Sequence, residues 1–161
     1  MVDAQSPGVR WPAIWALTGV GSLLSFAAFR LAKRGLDVIG SGLTGWQWLA
    51  LVALTALFVV TEGAGALQRR WVPRVVGRAR ALRAEPRRTL WLLAPLHAMA
   101  LIAAPRAELT RAWITTTAIV IAVLIVSTFP QPWRGIVDFA VACGLLWGVG
   151  AIVAQARRAL H

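Results

Sequence analysis

An all-α integral membrane helical bundle is the fold class that the sequence predicts. Apolar residues make up 58% of the 161-residue chain, well above the roughly 45–50% of soluble domains, and the mean hydropathy is +0.68. Four apolar segments are long enough to cross a hydrocarbon core of about 30 Å, which takes about 20 residues in a helix. Between the second and third lies a block, residues 69–88, with eight of the 17 basic residues (Arg69, Arg70, Arg74, Arg78, Arg80, Arg83, Arg87, Arg88) against one acid, Glu85. Because Lys and Arg accumulate in cytoplasmic loops, this block predicts its own side of the membrane. The length suits one domain and leaves no room for a separate soluble enzyme. In a soluble chain, a net charge of +11 would suggest nucleic acid. Here the bases flank apolar spans, so no nucleic-acid partner is expected.

The first span covers residues 11–29. Only Arg10 precedes it as a base, and Arg30, Lys33 and Arg34 follow where a cleavage site would need small neutral residues. A retained span is therefore expected rather than a signal peptide. The second span covers 46–67, the third 112–129 with its β-branched Ile119, Val120 and Ile121, and the fourth 135–155. Trp46, Trp48, Trp91, Trp113 and Trp133 fall at or near the ends of apolar runs, as an aromatic belt does. The run 89–104 is shorter, holds Pro95 and His97, and stops at Pro105. If it spans, five spans result, with ten bases inside and seven outside. If it is re-entrant or short, four spans put thirteen inside and four outside. The second arrangement obeys the positive-inside bias better, and four spans are the expectation, with five the alternative.

Within the basic loop 68–88, Val72, Val75, Val76, Ala79 and Leu82 recur at helical spacing among the arginines. Pro73 suits a first turn and Pro86 an end. A basic interfacial helix is expected, apolar face toward lipid and arginines toward anionic headgroups or a partner protein. Pro130, Gln131, Pro132, Trp133 and Arg134 form a tight hairpin, so the third and fourth spans are expected to pack as antiparallel neighbours. Ala140, Gly144 and Gly148 make a small-residue face for close helix packing, within the chain or against another subunit.

Ionisable residues inside a membrane are candidates for function, here Glu62, His97 and Asp138. Each also has a structural reading. Glu62 can pair with the nearby Arg69 and Arg70. Asp138 can sit on the helix N-terminal dipole or pair with Arg134, four residues away. His97 can bond a carbonyl freed by Pro95. Four spans would put Glu62 and Asp138 in opposite leaflets, too far apart for a joint acid/base or metal site. The lone Cys143 is expected as a small buried thiol, with no disulfide and no metal cluster. No paired His ligands, phosphate-binding loop or nucleophilic triad is present in the sequence. No metal site, no cofactor and no enzyme activity are assigned.

The strings Thr61-Glu62-Gly63, Gln68, Pro73-Arg74-Val75-Val76, Arg78-Ala79 and Leu93-Ala94-Pro95-Leu96, and above all Pro130-Gln131-Pro132-Trp133-Arg134-Gly135-Ile136-Val137-Asp138, run on through Gly144-Leu145 to Trp147-Gly148. On these the chain resembles an uncharacterised family of small bacterial multi-pass inner-membrane proteins. The resemblance implies a bacterial inner-membrane location and supplies no activity. It singles out Glu62, Trp133, Arg134 and Asp138. The leading functional expectation is a non-enzymatic accessory or scaffold subunit of a bacterial membrane complex, respiratory or photosynthetic, meeting anionic lipids and either other subunits or further copies of itself. The alternatives are a small oligomeric transporter or channel component using Glu62 and Asp138, and a membrane-embedded enzyme acting on a lipid, quinone or tetrapyrrole.

Overall fold

The computed structural model describes residues 11–82 and 88–160. Arg83, Arg87 and the side chain of Arg88, all assigned to the basic surface, lie outside the described residues, as does Pro86. The described residues form helices and turns with no strand. Among them, four helices are long and apolar enough to cross a membrane, as the segment count predicts.

Helix α1, Trp11–Gly40, is longer than the predicted span and continues through Arg30, Lys33 and Arg34. No proline interrupts it, and Gly35 is held against α7 rather than breaking the helix. It ends where Gly42 adopts a φ of +89°, a left-handed conformation that glycine reaches without a Cβ clash. Helix α2, Gly45–Phe58, starts with the Gln47 side-chain oxygen accepting the Thr44 N–H at 2.9 Å. It leads without a break into a π-helical segment, Val59–Trp71, and then α3, Val72–Ala81. These three form one 37-residue helix, so the basic helix continues the second span instead of following a loop. The wide register contains Thr61, Glu62, Gly63, Ala64 and Gly65 and ends just before Pro73, where the next backbone donor is missing. Short π insertions often mark functional sites; a segment this long is unusual.

The run 89–104 does not cross. It makes two five-residue helices, α4 (Arg88–Leu92) and α5 (Ala94–Ala98), joined at Leu93. Pro95 caps this break from the first turn of α5 and lies on Gly19 of α1, where a Cβ would come within 2.4 Å of the proline ring. The Trp15 indole N–H donates to the Leu92 carbonyl at 3.3 Å, tying α4 to the same helix. Helix α6, Arg106–Ser127, returns through the apolar region, and α7, Trp133–Leu160, follows the turn at Pro130 and Pro132.

The core sits at the basic end. Val72, Val75, Val76, Ala79 and Leu82 are buried against Ala13, Ala16, Leu17 and Val20 of α1, Ala94 and Ala98 of α5, and Ile152 of α7. Protein, not lipid, therefore covers the apolar face of the basic helix. This corrects the expectation of a helix lying apolar face down on the membrane. The stripe that predicts an interfacial helix serves equally well as a core face, and only the partner elements distinguish the two.

A second correction concerns α6. It touches α7 very little and has no buried residue over its whole length. The hairpin fixes where the chain turns, but the two helices diverge from it. The main partner of α7 is α1, followed by the α2–π segment. Its small-residue face is used within the chain. Ala140 is fully buried, Gly144 backs onto the Phe58 carbonyl, and a Cβ on Gly148 would meet the Leu67 side chain at 2.6 Å.

Candidate functional site

Apart from His97, the candidate residues fall into two places. The first is the seam of α1 and α7 at the end away from the arginine cluster. Gly35 admits Phe139, and Gly135 admits Val38 in return; a Cβ on either glycine would come within 2.5 Å and 2.3 Å of those side chains. Between these contacts Asp138 is 5% exposed, with its carboxylate 3.9 Å from the Arg34 guanidinium. The partner is thus from α1, not the expected Arg134. Arg134 instead donates to the Ser127 carbonyl at 3.2 Å and closes the α6–α7 turn. Trp133 is half-buried beside it. The sequence reading missed Arg34 as a partner because the extension of α1 past Phe29 is what brings it level with Asp138.

The second place is a cleft of about 320 Å³ between α6 and the rest of the bundle. One wall is the long α2–π–α3 helix with Glu62, Ala66, Leu67, Trp71, Arg74, Val75 and Arg78. The opposite wall is α6 with Glu108, Arg111, Ala112, Thr115, Thr116 and Ile119, while Leu24 of α1, Leu145 of α7 and residues 98–101 also line it. Arg78 and Glu108 form an ion pair across its mouth. A second Arg78 nitrogen donates to the His97 carbonyl at 3.5 Å. Arg78 thereby ties α3, α5 and α6 together. His97 itself is half-buried in α5 and does not line the cleft.

Glu62 faces this cleft and is not within ion-pairing distance of Arg69 or Arg70; among the described residues the ion pairs are those of Arg34 and Arg78. The π register alters which residues share a face, so an expected pairing based on α-helical spacing does not form. Its neighbour Gly63 packs on Trp147. The Trp147 indole donates to the Gln68 side-chain oxygen at 2.7 Å, and Gln155 donates to the Gln68 carbonyl at 3.3 Å. These bonds clamp the π segment to α7. Trp147 is nine residues from Asp138 on one helix, or about 13 Å along the axis. Glu62 and Asp138 therefore do not share one site.

Among the described residues, no three His, Cys, Asp or Glu side chains cluster to hold a metal ion. Cys143 is half-buried on α7. Comparison with protein-family models, curated proteins and solved structures finds no match. The site is read from its own chemistry.

The ion pair at the mouth is what joins α6 to the bundle at this end. The Glu108 side chain is 49% exposed, so Glu108→Ala should cost only about 0.5–1 kcal/mol of stability. Its effect on geometry should be larger. Spin labels at Thr117 on α6 and Ala154 on α7 should give a clearly broader distance distribution in the variant; an unchanged distribution would show that other contacts hold α6 in place.

Proposed function

We propose that this chain is a non-enzymatic accessory subunit of a bacterial inner-membrane complex, with its arginine-rich end in the cytoplasm. The observation that supports this reading is α6. Its 22 residues include none that is buried, whereas α1 and the long α2–π–α3 helix each set a packed face against the bundle. Helices in lipid associate through close side-chain packing, because the apolar effect gives no advantage there. A span held to its own bundle by a hairpin turn and one ion pair lacks that packing, and a partner subunit would supply it. The face of α6 turned away from the cleft, Ile114, Thr117, Ile121 and Leu124, follows a three-and-four spacing suited to another helix. The cytoplasmic placement rests on the positive-inside bias. The bacterial location rests on the sequence resemblance.

Purification from native membranes in mild detergent tests this. The expected result is co-migration with a larger assembly at fixed stoichiometry, and an absorption spectrum showing whether that assembly carries a chromophore. A small colourless particle of this chain alone would reject the reading.

One observation favours the alternative of a small transporter component. Glu62 lines a cleft within a spanning helix, beside a non-α-helical stretch, as polar pathways in transporters do. On that reading Glu62→Gln lowers flux in proteoliposomes at least about tenfold, the loss of one transition-critical interaction of about 1.4 kcal/mol. Equal flux in the two proteins would remove Glu62 from any pathway.

A further inference from the structure

The Arg78–Glu108 pair sets the register of two walls running in opposite directions. The long helix runs toward the basic end at Arg78, and α6 runs away from that end after Glu108. One turn deeper from the pair on the first wall is Arg74, four residues before Arg78. One turn deeper on the second is Arg111, three residues after Glu108. Residues three or four apart share a helix face, so Arg74 and Arg111 face each other across the cleft just inside the pair. Neither has a carboxylate within ion-pairing distance among the described residues; Glu108 is engaged by Arg78. Glu62, the other acid in the cleft, is twelve residues from Arg74, about 18 Å at the α-helical rise and somewhat less through the π turns. Beyond the two arginines the lining changes to Thr115 and Thr116, and then to Leu67, Ile119, Leu24 and Leu145, with Glu62 at the far end of the long-helix wall.

We propose that this cleft is a binding site for one anionic phospholipid, its phosphate held between Arg74 and Arg111 and an acyl chain lying along the Leu67–Ile119–Leu145 wall. Two facing guanidinium groups without an acid leave a local excess of positive charge, and their planar forks match phosphate oxygens. The volume of about 320 Å³ lies at the low end of the range for ligand sites, about 300–1,000 Å³, so the cleft takes the phosphate and part of one acyl chain while the rest of the lipid lies outside it. The change from cationic mouth to apolar depth matches an amphiphile rather than a soluble anion. The site does not depend on the accessory-subunit reading, since it uses only groups of this chain.

Native mass spectrometry of the purified full chain tests it, with phosphatidylglycerol and phosphatidylcholine of identical acyl chains as probes. The expected result is one phosphatidylglycerol retained per chain, preferred about thirtyfold over phosphatidylcholine, given roughly one surface-near base's worth of attraction from each of the two arginines. Arg74→Gln with Arg111→Gln should abolish the preference. Arg69→Gln with Arg70→Gln, at exposed positions outside the cleft, should keep it. If the first double variant does not fold, Ala112→Trp fills the cleft from α6 and should abolish retention. Equal retention of the two lipids by the unaltered protein overturns the proposal. So does displacement by glycerol phosphate at the lipid's own concentration, which would mean that the apolar wall contributes nothing. A dimer mass without retained lipid, showing a second copy in the cleft, overturns it too.

Discussion

Gly35→Leu should separate α1 from α7 and destabilise the protein by about 3 kcal/mol, the upper part of the range for overpacking a tight contact. Even an alanine Cβ there would lie 2.5 Å from the Phe139 Cβ and 3.0 Å from its Cα. The backbone on the far side cannot move without moving α7. Because α1 and α7 make the largest contact in the bundle, the strain cannot be passed to a peripheral element. Gly21→Leu on the same helix is the control. Nothing lies within 4 Å of its added Cβ, and replacing a helical glycine should raise stability by up to about 1 kcal/mol. Thermal unfolding in detergent should therefore move in opposite directions for these two substitutions. A parallel shift would mean that α1 and α7 do not meet at Gly35.

Arg34→Ala should destabilise by about 2 kcal/mol, and adding Asp138→Asn should recover most of that loss. The carboxylate of Asp138 is almost enclosed, and removing its cation leaves a buried charge uncompensated, which costs about 3–5 kcal/mol for fully buried pairs. The smaller figure reflects the Arg34 side chain, 43% exposed and so partly screened. Neutralising Asp138 removes the unpaired charge while keeping its shape. A double variant no more stable than Arg34→Ala alone would show that the arginine contributes through its aliphatic packing rather than its charge.

The helical class and the four spanning segments are legible because each span is an apolar run of sufficient length, a local property. The valine face of residues 72–82 is legible for the same reason, as a helical period. What covers that face is not local. The same stripe suits lipid or protein, and Ala13, Ala16, Val20 and Ala94, which cover it, look in sequence like any small residues in a span. The divergence of α6 from α7 is hidden as well, because a Pro-Gln-Pro turn fixes chain reversal and not the angle at which two helices leave it. At the candidate site, Glu62 and Asp138 stand out as charges in apolar runs. Their surroundings do not. The partner of Asp138 comes from more than a hundred residues earlier, at Arg34, and the lining of the Glu62 cleft depends on a π register that no residue pattern announces. Glu108 and Arg111 read as ordinary flanking charges until α6 is seen facing α3. The signal that could have found them is their spacing. They lie three residues apart on one helix, facing Arg74 and Arg78, four apart on another.

The most direct test of the accessory-subunit reading is photo-crosslinking in native membranes from Ile121, on the α6 face turned away from the bundle, with Leu49 of α2 as the comparison. Both side chains are more than half exposed. The reading predicts one defined partner polypeptide crosslinked from Ile121 and only lipid from Leu49. Products from Ile121 that contain nothing but lipid or this chain would contradict it, and α6 would then be an ordinary lipid-facing helix.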